Sequence, residues 1–108
     1  MPKIIFMSKQ FSDLGIDGKL QQSLSALKIT IPTAIQEKVI PVVLQQKEDI
    51  VAVAKTGTGK TAAFGLPLLQ LIDVENTNIQ AVTLTPTREL GQQIHKNLEA
   101  FATNSPEL

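Results

Sequence analysis

Ala54-Lys55-Thr56-Gly57-Thr58-Gly59-Lys60-Thr61 follows the apolar run Ile50-Val51-Ala52-Val53 and precedes a helix-forming run that opens at Ala62-Ala63-Phe64. A glycine-rich loop set between a strand and a helix is the context in which such a loop holds phosphate. Gly57 and Gly59 have no side chains, so the loop can curl with its amide N–H groups turned into one concavity. Those amides, backed by the positive end of the following helix, suit the oxygens of a di- or triphosphate. Lys60 adds a point charge near the β- and γ-phosphates, and the Thr61 hydroxyl is placed to ligate Mg²⁺. Ala54 stands where this pattern usually opens with glycine. The stretch reads as a nucleotide site.

Outward from the loop, Ile50–Val53 is apolar at every position, as a parallel strand covered on both faces would be. The helix after the loop carries Phe64, Leu66, Leu68, Leu69, Leu71 and Ile72, with Pro67 expected to bend it. Ile79–Thr85 reads as a second strand, with Val82 and Leu84 on one face. Pro86 ends it, and Thr87 caps a helix with Leu90, Ile94, Leu98 and Phe101 along one stripe. Upstream, Asp17 is an N-cap for a helix bearing Leu20, Leu24 and Leu27, which should stop before Thr30-Ile31-Pro32. Thr33 caps a second helix, kinked or split ahead of Pro41. The order strand–loop–helix–strand–helix is the start of a parallel, doubly wound α/β sheet. Two strands alone leave open edges and a half-covered helix layer. Residues 1–47 therefore form an N-terminal helical segment, and residues 48–108 the first part of a nucleotide-binding domain.

At 108 residues the chain has the length of one small domain. Ten basic and ten acidic residues cancel, so net charge gives no support to nucleic-acid binding. The absence of cysteine removes disulfides, thiol catalysis and zinc–thiolate sites, and His95 alone cannot make a histidine metal cluster. No apolar run approaches the roughly 18 residues of a membrane span. Met1–Met7 is too short in apolar residues for a secretory leader, and Met7 is itself a possible start. The expected compartment is the cytoplasm, with no membrane partner.

Three segments together resemble the DEAD-box ATP-dependent RNA helicases. Phe11 followed by Pro32-Thr33-Ala34-Ile35-Gln36 is similar to that family's Q motif. Ala54–Thr61 matches its form of the phosphate loop, alanine included. Pro86-Thr87-Arg88-Glu89-Leu90 is similar to its motif Ia. The resemblance implies an incomplete parallel-sheet, RecA-like P-loop domain with a helical Q-motif segment in front.

It also implies ATP and Mg²⁺ as cofactors and assigns roles. Gln36 would read the adenine edge, since a primary amide offers both a donor and an acceptor, and Phe11 would stack on the base. Ala54, Lys55, Thr56, Gly57, Thr58, Gly59, Lys60 and Thr61 would hold the phosphates, with Lys60 and Thr61 taking catalytic roles and Thr61 on the metal. Pro86, Thr87 and Arg88 would touch the backbone of single-stranded or duplex RNA, binding without reading sequence. Lys28-Ile29 departs from the family's Gly-Phe, and Gly91 from its common alanine. Asp-Glu-Ala-Asp is absent, as are the Ser-Ala-Thr motif and a second RecA-like domain. The expectation is thus a helicase fragment that binds ATP and RNA without hydrolysing ATP, while the longer parent unwinds duplexes. A non-catalytic truncated module and another P-loop ATPase are the alternatives.

Overall fold

In a computed structural model, which describes residues 9–55 and 57–108, four helices follow a short 3-10 turn at Phe11–Leu14. Helix α1 (Gly18–Ala26) begins where expected, because Asp17 Oδ1 accepts the Leu20 amide at 3.0 Å. It ends in a Schellman arrangement: the Ile29 amide donates to Leu24 O at 2.8 Å and the Lys28 amide to Ser25 O at 3.0 Å. Lys28 takes the left-handed position, φ 62°, where glycine is the usual occupant. That gives the Lys28 departure a structural meaning.

Helix α2 (Ala34–Gln45) runs through Pro41 without a split, which was one of the two forms expected there. Proline removes one N–H and crowds one turn, and here Ile40, fully buried, anchors the same turn in the core. Helix α3 (Lys60–Leu71) likewise continues through Pro67, itself fully buried. Helix α4 (Arg88–Phe101) is capped by Thr87, whose hydroxyl accepts the Leu90 amide at 3.1 Å. Its predicted stripe is graded: Ile94 and Phe101 are buried, Leu98 is half-buried, and Leu90 is exposed.

Leu20 and Leu24 of α1, Ile40 of α2 and Leu66 of α3 are each at most 1% exposed and form the centre of the core. Each contributes about 2 kcal/mol by leaving water. Phe11 and Leu14 from the 3-10 turn and Phe101 from α4 close it, so the core draws on both segments of the chain. Gln70 fastens the N-terminal turn to α3, donating to Gly15 O at 2.7 Å and accepting from the Asp17 amide at 2.8 Å.

The expected sheet is the main correction. Among the described residues no strand forms, and Ile50–Val53 and Ile79–Thr85 lie outside any regular element, without ladder partners. Val51, Val53 and Leu84 are 90% or more exposed, which is the opposite of a strand covered on both faces. The apolar pattern identifies segments able to pair, but pairing needs neighbouring strands. The helices fold on one another and leave these stretches outside.

Candidate nucleotide-binding site

The loop ahead of α3 has the backbone its glycines permit. Gly57 and Gly59 lie at φ 82° and 87°, in the left-handed region. Thr58 braces the turn by donating its hydroxyl to Lys55 O at 2.6 Å. Gly59 is the N-cap of α3, and its carbonyl oxygen accepts the Ala63 amide at 3.1 Å. Among the described residues, no protein group accepts the amides of Gly57 through Ala62. These amides stand at the start of a helix, where the macrodipole adds positive potential.

The Q-motif segment leans on this loop. Gln36, 3% exposed, donates from Nε2 to Gly59 O at 3.1 Å, and its Oε1 accepts the Thr33 amide at 2.9 Å. The second bond is the return arm of a capping box. A β-carbon on Gly59 would lie 3.1 Å from the buried Thr33 hydroxyl oxygen and would strike Gln36 Nε2. A primary amide has two N–H groups and two oxygen lone pairs. Among the described residues, Gln36 spends one of each on the protein.

Gly57, Gly59, Lys60, Thr61 and Gln36 share one cleft of about 840 Å³, walled by α2 and by Leu90 and Ile94 of α4. Lys60 is exposed, and Thr61 and Ala54 are half-buried. Thr56 lies outside the described residues. Two predicted groups stand apart from this cleft. Phe11 is 4% exposed within the core, so its ring offers almost no free face to a base. Pro86, Thr87 and Arg88 are exposed at the start of α4, and Arg88 lines a separate surface dent with Gln92, His95 and Lys96. Among the described residues no cluster of three acidic or histidine side chains could hold a metal. A Mg²⁺ here would take the Thr61 hydroxyl and fill its remaining positions with phosphate and water, a common arrangement for this ion. Among the described residues no helix is long and apolar enough to cross a membrane.

The Gln36 contact to Gly59 was not anticipated from sequence, since it joins residues 23 apart. Its local half was readable: Thr33-Ala34-Ile35-Gln36 has the Thr-x-x-Gln spacing of a capping box.

Left-handed Gly57 and Gly59 ahead of a helix that opens with Lys60 and Thr61 have the sequence and backbone form of a P-loop. The family model described as DEAD/DEAH box helicase matches residues 33–107, and the chain belongs to that family. It is 47% identical over 89 residues to the ATP-dependent RNA helicase CshA of Limosilactobacillus reuteri, covering 82% of this chain and 18% of that protein. With the RNA helicase CrhR of Synechocystis it shares 45% over 96 residues, 89% of this chain and 19% of the relative. Among solved structures, Saccharomyces cerevisiae Dbp5 bound to RNA and ADP BeF3 superposes with a TM-score of 0.85 at 33% identity, covering 91% of this chain and 25% of Dbp5. A DEAD box protein from Methanococcus jannaschii gives 0.81 at 38% identity, with 88% and 26% covered. The chain thus spans under a fifth of these curated relatives and about a quarter of these solved chains.

Proposed function

We propose that this chain binds ATP with Mg²⁺ at the Gly57–Thr61 loop and carries part of an RNA-binding surface at Pro86–Arg88. One observation carries the proposal: the Gly57–Ala62 amides, which find no acceptor among the described residues, with Lys60 and Thr61 on the same cleft as Gln36. Backbone amides held at a helix start by left-handed glycines suit phosphate oxygens, and a preformed loop loses little ordering entropy on binding. The remaining N–H and lone pair of Gln36 suit the N7 acceptor and N6 amino group of adenine. Guanine presents an acceptor where adenine presents that amino group, so ATP is favoured over GTP. Phe11 supports the pocket from the core. Arg88, exposed at the first turn of α4, meets RNA phosphate, and such contacts carry no sequence information.

The proposal stops at binding for the 108 residues. In longer relatives of this family the same elements serve an RNA helicase, and the corresponding role here is ATP-driven duplex unwinding by a polypeptide that supplies the remaining motifs. The nucleotide and RNA in the Dbp5 complex support the choice of partners.

Amide hydrogen exchange with and without MgATP tests this directly. Slowed exchange at Gly57–Ala62, lost in Lys60→Ala, is the expected result. Unchanged exchange at saturating nucleotide would refute it.

A further inference from the structure

Thr87 gathers three hydrogen bonds at the start of α4. Its hydroxyl oxygen accepts the Leu90 amide at 3.1 Å, and its carbonyl oxygen accepts the Gly91 amide at 3.1 Å and the Thr85 hydroxyl at 3.0 Å. The first two belong to any capped helix. The third does not. It reaches across Pro86, which has no N–H to give, and ties the end of the 79–85 stretch to the first turn of α4.

The Thr85 hydroxyl and the Gly91 amide thus meet at one oxygen atom, and Gly91 leaves the room for it. A β-carbon at Gly91 would lie 3.1 Å from Thr85 Oγ1, closer than ordinary van der Waals contact. Among the described residues it would meet nothing else within 4 Å beyond its chain neighbours and its own helix backbone. Glycine weakens a helix relative to alanine. Here it keeps the place of a hydroxyl.

We propose that Thr85 and Gly91 are positioning residues for the Pro86–Arg88 turn and set where Arg88 meets a phosphate of the RNA backbone, an inference that rests on the RNA reading above. Pro86, Thr87 and Arg88 are exposed, while Thr85 and Gly91 are half-buried behind them. The turn is therefore held from its inner side, by the Thr85 hydroxyl and by the capped helix. A turn already in place presents its cation with less ordering to oppose binding. Thr85 and Gly91 act through the Thr87 carbonyl, and the contact to RNA is made by Arg88.

The test is the affinity of the full 108-residue chain for a single-stranded oligouridylate, measured for Thr85→Ala, Thr85→Ser, Gly91→Ala and the double variant Thr85→Ala/Gly91→Ala, with Arg88→Ala as the reference. Thr85→Ala and Gly91→Ala should each weaken binding about fivefold, the scale of one lost hydrogen bond. The double variant should be no weaker than Thr85→Ala, because both changes remove the same bond. Thr85→Ser keeps the hydroxyl and should bind as the unaltered chain does. Gly91→Ala should lose affinity with no fall in melting temperature, alanine being the better helix former, a combination that a merely structural role does not give. Unaltered binding by Gly91→Ala, losses that add in the double variant, or a Thr85→Ser chain as weak as Thr85→Ala would overturn the inference. A loss in Arg88→Ala with none in Gly91→Ala defeats this inference alone. If Arg88→Ala binds as the unaltered chain does, the RNA reading itself fails, and this inference with it.

Discussion

Gln36 Nε2 and the Gly59 carbonyl oxygen meet at 3.1 Å, so the segment expected to read the base is fastened to the loop expected to hold the phosphates. The Gly59 carbonyl also accepts the first amide bond of α3 from Ala63. The Q-motif segment, the loop and helix α3 therefore share one oxygen atom. Removing the Gln36 side chain strips the Thr33 amide of its partner and loosens the loop. Gln36→Ala is expected to cost about 1–3 kcal/mol of stability, seen as a lower denaturation midpoint, and to weaken ATP binding at the same time.

The two loop glycines should respond differently to a methyl group. A β-carbon on Gly57 meets nothing within 4 Å, whereas on Gly59 it runs into Gln36 Nε2 and Thr33 Oγ1. Gly57→Ala carries only the left-handed backbone penalty, about 1–2 kcal/mol. Gly59→Ala adds a collision with two side chains and displaces the Gln36 contact. Thermal unfolding should rank Gly59→Ala well below Gly57→Ala, and nucleotide binding should follow the same order.

Lys28 sits at φ 62° as the residue after the α1 C-cap. Lys28→Gly relieves that strain without touching the core, since Lys28 is exposed. A gain of about 1 kcal/mol is expected. It should appear as a melting temperature several degrees higher, with nucleotide affinity unchanged.

Arg88→Ala removes one cation from the start of α4. Binding to single-stranded RNA should weaken equally for unrelated sequences, and the salt dependence of log K should fall by about 0.7. ATP binding should stay as it was, because Arg88 lies outside the cleft that holds the loop.

The sequence disclosed what local chemistry decides. Asp17 and Thr87 cap the helices they were expected to cap, since a short oxygen side chain before an apolar stripe satisfies an orphan amide wherever it stands. The loop was legible for the same reason, its glycines being required by backbone angles. What depended on neighbours was not legible. Ile50–Val53 and Ile79–Thr85 have strand composition, yet a strand is made by its partners, and none is supplied within the described residues. Of the kink or split expected at Pro41 the split is not seen, and local propensity does not register the burial of Ile40 beside it. The Gln36–Gly59 bond, 23 residues in span, carries no periodic signal at all.

Nucleotide titration by calorimetry, ATP against GTP in the presence of Mg²⁺, tests the central claim most directly when repeated with Lys60→Ala and Gln36→Ala. The account predicts that the 108-residue chain binds ATP more tightly than GTP, that Lys60→Ala abolishes binding of both, and that Gln36→Ala narrows the difference between them. Equal affinity for the two nucleotides in the unaltered chain, or ATP binding that survives Lys60→Ala, would contradict it.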